Sequence, residues 1–67
     1  MQNYTLKNRI EEVRDNLSMK QHELAAMTGL SQSTISETET GTHVPTVITA
    51  ILISRALGST VEELFQV

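Results

Sequence analysis

Residues 19–41 read MKQHELAAMTGLSQSTISETETG, and the way this stretch divides decides the fold. Its first part carries Leu24, Ala25 and Met27 at helical spacing, and Gly29 then supplies the backbone freedom that a tight turn needs. Ser31 is a good N-cap for a second helix that runs to about Thr40, where Gly41 stops it. Two frames compete for the start of the earlier helix, since Ser18 with Gln21 and Lys20 with Glu23 both have capping-box spacing. The stretch is helix, tight turn, helix.

Working outward, Leu6, Ile10, Val13 and Leu17 fall at i, i+4, i+7 and i+11, one apolar face of a first helix that Asn3 or Thr5 would cap. On the other side, "THVP" is a loop, and Pro45 followed by Thr46 begins "TVITAILISRAL", the most apolar stretch of the chain, which Gly58 ends. Thr60 with Glu63 has capping-box spacing for a short last helix that holds Val61, Leu64 and Phe65. There is no strand signal, internal repeat or second domain. The expected fold is all-α, a compact five-helix bundle forming one domain over residues 1–67, with the helix–turn–helix at helices two and three.

Composition narrows the function. A chain of 67 residues buries only about 60% of its unfolded surface, so the core is small. Without cysteine, neither a disulfide nor a thiolate zinc site can staple it, and His22 and His43 are too far apart in sequence to suggest a metal site. No metal or cofactor is expected. No apolar run approaches the roughly 20 residues of a membrane span, and "MQNYTLKNRIEE" lacks the apolar core of a signal peptide, so a cytoplasmic protein with no membrane partner is expected. No nucleophile–base pair or phosphate-cradling glycine loop points to an enzyme. The net charge is −3, yet Lys7, Arg9, Arg14 and Lys20 lie in the first third, with Glu62 and Glu63 at the far end. Long-range attraction to a polyanion should be weak.

In a helix–turn–helix the second helix enters the major groove of DNA. Here Leu24 faces the core, Ala25 lets the helices cross closely, and Leu30 and Ile35 fill the crossing. The ordered set Gln21, Leu24-Ala25, Gly29, Ile35, Glu39, Gly41, Pro45, Leu57-Gly58 and Leu64-Phe65 resembles the Xre or Cro/cI-type family of phage and bacterial repressors, over about residues 6–65. The resemblance implies a lambda-repressor-like DNA-binding domain of five helices, usually a dimer on a two-fold operator. Three positions depart from the family pattern. Thr38 stands where a large aliphatic is usual, Lys20 where a cap such as serine or threonine is frequent, and "GTHVP" lacks the customary lysine or arginine.

Register separates the two glutamates of helix three. Ile35, Thr38 and Glu39 share its inner side, while Ser33, Glu37 and Thr40 share another face with Gln32 and Ser36 beside it. The resemblance implies that Glu39 pairs with Arg14 of helix one. Gln32, Ser33 and Glu37 are the candidate base contacts, because glutamine can bond adenine, serine a neighbouring base, and a carboxylate the cytosine amino group. The resemblance places Gln21 at a phosphate, where it can brace Gln32, and maps Ser31, Thr34, Thr40, Thr42 and His43 to phosphate-contacting positions. Lys7, Arg9 and Lys20 offer positive charge near the backbone, although a solvated helix face is an equal reading. In helix four, Val47, Ala50, Ile51, Ser54 and Leu57 take the family's core positions, whereas Ile48 and Leu52 occupy places that are usually polar. With Phe65 and Val67, these two suggest a dimer or partner interface.

The expected function is a sequence-specific regulator of transcription, a repressor that binds double-stranded DNA as a homodimer and sets helix three (about 31–40) in successive major grooves about 34–36 Å apart. Two alternatives use the same fold. One is an antitoxin or adaptor that engages a partner protein; the other is the DNA-binding part of a longer regulator with a separate effector domain.

Overall fold

The structure, a computed structural model, describes residues 7–66. Among these, five helices follow one another: Ile10–Asn16 (α1), Gln21–Thr28 (α2), Gln32–Thr40 (α3), Val47–Leu57 (α4) and Val61–Leu64 (α5). Two-residue strands flank them. Lys7–Asn8 (β1) and Phe65–Gln66 (β2) pair antiparallel, with Lys7 opposite Gln66 and Asn8 opposite Phe65. The bundle is as expected; the strand pair is not.

That pair also explains why α1 starts later than its periodicity suggests. Arg9 N–H donates to the Leu64 carbonyl at 2.8 Å, and Ile10 N–H donates to Asn8 Oδ1 at 3.2 Å. Lys7 and Asn8 are thereby held extended against Phe65 and Gln66 instead of winding into a helix. The expected caps Asn3 and Thr5, and Leu6 of the apolar face, lie outside the described residues. Leu17, at the far end of that face, caps α1 and is 52% exposed. Ile10 remains as its fully buried anchor.

The start of α2 settles in the Lys20–Glu23 frame. Lys20 N–H donates to Glu23 Oε1 at 2.8 Å, while Ser18 takes a left-handed backbone (φ 55°) in the preceding turn. A lysine side chain has no acceptor to return the bond, so this is half a capping box. Gly29 closes α2 at φ 76°, and a Cβ there would meet nothing within 4 Å; its backbone angle, not crowding, is what calls for glycine. α2 packs on α3 and α4, and Leu24, Ala25 and Ile35 are buried where the helices cross.

Helix four buries Ala50, Ser54 and Leu57 as expected, but its stripe differs elsewhere. Ala50, Ile53, Ser54 and Leu57 form its buried stripe, at spacings of three, one and three. Ile53, fully buried, was not among the expected core residues, whereas Val47 and Ile51, which were, face solvent at 76% and 37% exposure. Ser54 is buried as expected. Its hydroxyl donates to the Ala50 carbonyl at 2.7 Å, so a polar residue sits in the core satisfied, and the stripe centres on it and Ile53. Thr38, also polar and 1% exposed, is satisfied likewise by donating to the Thr34 carbonyl at 2.7 Å.

The last helix has both halves of its capping box. Glu63 N–H donates to Thr60 Oγ1 at 3.1 Å, and Thr60 N–H donates to Glu63 Oε1 at 2.9 Å. The second bond holds the Glu63 carboxyl below its ordinary range, so this contribution is present above that range and lost as pH falls through it. Thr60→Ala should lower stability by about 1 kcal/mol in urea denaturation.

Candidate nucleic-acid interface

The inner side of α3 is short of apolar anchors, with Ile35 and Thr38 as its buried residues. Polar bonds complete its attachment. Glu39 Oε2 accepts from Arg14 Nε at 2.7 Å, and the two side chains are 4% and 10% exposed. Arg14 also donates through Nη1 to the Met19 carbonyl at 2.8 Å, which ties the α1–α2 turn to the same pair. The Glu39 hydrogen bond is the main reason the Arg14 guanidinium is held still more firmly protonated than usual. The expected ion pair is therefore formed, and it turns Glu39 away from the outer face.

Gln21 joins this network. Its Nε2 donates to Glu39 Oε1 at 2.9 Å. The reason is geometric: the inward carboxylate offers a charged acceptor within reach, which outcompetes a neutral amide. Gln21 thus braces the inner side of α3 instead of its outer one.

Outward, Gln32, Ser33 and Glu37 are exposed, and among the described residues their side chains have no hydrogen-bond partner. Around them lie the hydroxyls. Ser31 Oγ accepts from Thr34 N–H at 3.1 Å and shares a further bond of 2.9 Å with Thr34 Oγ1. One proton lies between those two oxygens, so the other hydroxyl can donate outward. Thr40 and Thr42 both reach the Glu37 carbonyl, at 3.1 and 3.2 Å. That carbonyl already accepts from the N–H groups of Gly41, Thr42 and His43. Two lone pairs are then fully occupied, and either hydroxyl can turn to an external acceptor without leaving the carbonyl unsatisfied. His43 is exposed in the loop that follows.

Positive charge is scarce here. Arg9 is bonded to Glu12 at 2.7 Å, and Arg14 is held inside. Among the described residues, Lys7, Lys20 and Arg55 have no carboxylate partner. The surface is one of neutral donors with few cations.

A second exposed feature lies on α4. Val47, Ile48 and Ile51, with Val44 in the loop before the helix, are exposed apolar residues, and Val47 and Ile51 line a groove of about 290 Å³ with Pro45, Ala50, Val61 and Phe65. Of the expected interface residues, Ile48 is 71% exposed and Leu52 is half-buried. Phe65 is 8% exposed and belongs to the core, forming part of the groove wall, and Val67 lies outside the described residues. Val44, in the loop before α4, was missed, while Val47 and Ile51 were expected in the core. Asn8 was missed too: its Nδ2 donates to the Thr38 carbonyl at 2.7 Å, a contact that no periodicity signals.

Residues 10–64 match the family model described as helix-turn-helix. The chain is similar to YgzD, an uncharacterized HTH-type transcriptional regulator of Bacillus subtilis (strain 168), with 28% identity over 60 residues covering 90% of this chain and 91% of the relative. Its fold is similar to the crystal structure of the restriction-modification controller protein C.AhdI from Aeromonas hydrophila, with a TM-score of 0.78 and 25% identity, covering 82% of this chain and 83% of that one. The chain belongs to the helix-turn-helix family of the Xre or Cro/cI type, and it is a DNA-binding transcriptional regulator, not an enzyme.

Proposed function

We propose that the protein is a sequence-specific repressor that binds double-stranded DNA as a homodimer and lays α3 of each protomer in successive major grooves. The observation that carries this is the division of α3. Its inner side is fastened by Ile35, Thr38 and Glu39, while Gln32, Ser33 and Glu37 stand outward with their polar groups unpartnered. Those three would contact bases. Ser31, Thr34, Thr40, Thr42 and His43 would hold phosphates, together with the second amide proton of Gln21. Repression follows from occupancy, since a dimer seated across two grooves denies that DNA to other proteins. YgzD is named a regulator and C.AhdI a controller protein, which agrees with this role.

The second copy would cover the α4 patch. Val44, Val47, Ile48 and Ile51 are apolar and exposed on a chain with a small core, an arrangement that favours burial against a partner. An adaptor or antitoxin would instead place a different protein on this patch, and a protein that stays monomeric without such a partner would favour that reading.

The test is a binding titration on selected and random duplexes at two salt concentrations. A dimer that offers Lys7 and Lys20 from each protomer should show a log–log salt slope no steeper than about −4, with a clear preference for selected sequences. Equal affinity for both duplexes, even in low salt, would remove the sequence-specific reading.

A further inference from the structure

We propose that Asn8 is a positioning residue for the recognition helix, fixing the last turn of α3 and with it the pose of Glu37. The proposal rests on α3 being the DNA-reading helix. Asn8 spans two helix ends at once. Its Oδ1 accepts from Ile10 N–H, one of the donors left over at the start of α1. Its Nδ2 donates at 2.7 Å to the carbonyl of Thr38, one of the acceptors left over at the end of α3. Within α3 itself that carbonyl otherwise accepts from Gly41 N–H at 3.1 Å, and Gly41 is already in a left-handed backbone beyond the helix. Asn8 is thus a cap delivered from 30 residues away.

The strand carrying Asn8 is itself held. Asn8 pairs with Phe65 in the ladder, and the next residue, Arg9, donates its N–H to Leu64. Leu64 and Phe65 are both buried, so the amide is presented from a rigid support. The attachments of α3 therefore come from different directions: Arg14 and Gln21 hold Glu39, and Asn8 holds the carbonyl of the residue before it. Glu37 precedes Thr38 directly, so a last turn that swings loose moves the carboxylate proposed to read a base. Gln32 and Ser33, one to two turns earlier and next to the Ser31 cap, depend on Asn8 less.

Substitution can separate the two caps. Asn8→Asp keeps an acceptor for Ile10 N–H but sets a carboxylate oxygen against the Thr38 carbonyl. Asn8→Ser keeps a short acceptor without charge and cannot reach Thr38. Asn16→Asp, on the exposed end of α1, serves as the charge control. Each protein is titrated with selected and random duplexes at a temperature where melting curves show it folded. The expected result is a loss of at least tenfold in affinity for the selected duplex for both Asn8 variants. The ratio of selected to random affinity should fall with it, while Asn16→Asp keeps the wild-type ratio within about twofold. The discrimination lost should lie mainly at the base pair that Glu37→Gln also relaxes. If either folded Asn8 variant keeps the wild-type ratio, the proposal is overturned, and lowered melting temperature with unchanged ratio means Asn8 only stabilises the fold. A wild-type protein with no preference among duplexes overturns the DNA reading first and this proposal with it.

Discussion

Glu39→Ala is expected to cost ~3–5 kcal/mol, a large share of the stability of a domain of this size. The substitution leaves the Arg14 guanidinium, 10% exposed at its side chain, with its main partner gone. It cannot relieve that burial by losing its proton, since arginine stays charged in proteins. Asp15 and Glu11, at 3.5 and 3.9 Å, are mostly exposed and replace little of the lost bond. Gln21 loses its acceptor in the same step. Urea denaturation followed by circular dichroism measures the loss, and a change below about 1 kcal/mol would mean the pair contributes no more than a surface contact. The double variant Arg14→Met, Glu39→Leu should recover most of the stability, because it removes both desolvated charges together.

Val47→Glu combined with Ile48→Glu is expected to turn the proposed dimer into a monomer and weaken operator binding by about 10²–10⁴-fold, the advantage of engaging two half-sites together. Both residues are more than two-thirds exposed, so the fold has little reason to suffer. They also occupy the first turn of α4, where a carboxylate suits the positive end of the helix dipole. Leu52, the other expected interface residue on this helix, is half-buried and would confuse lost association with lost packing. Sedimentation gives the oligomeric state and titration the affinity. A variant that still sediments as a dimer, with unaltered binding, would move the interface elsewhere.

Much of the architecture was legible because its punctuation is local. Gly29, Gly41 and Gly58 end three helices in left-handed backbone, and Ser31, Thr46 and Thr60 start three, each by accepting an N–H from three residues on. The inward turn of Glu39 was legible for a related reason, since helical register fixes a direction once the neighbouring core residues are known. What was not legible depends on contacts distant in sequence. The Lys7–Gln66 pairing is two residues long, too short for alternation to announce it. The burial of α4 was only partly legible because nearly every residue in "VITAILIS" is apolar: Ala50, Ser54 and Leu57 follow the expected stripe, but Ile53 is buried where Val47 and Ile51 are not. Gln21 went to Glu39 because an inward carboxylate was there to receive it, a competition that spacing does not reveal.

The strand pair has a consequence for the order in which the protein matures. Lys7 and Asn8 are made before the five described helices, but their partners Phe65 and Gln66 emerge after all five have been translated. Closing so long a loop is the most entropically demanding contact in the described chain, so it should form last, on a bundle already assembled. Until then Asn8 has no rigid support from which to reach α3. A nascent chain with Phe65 and Gln66 still inside the ribosome would hold its helix–turn–helix in outline, but its recognition helix would not be finished until those two residues had emerged.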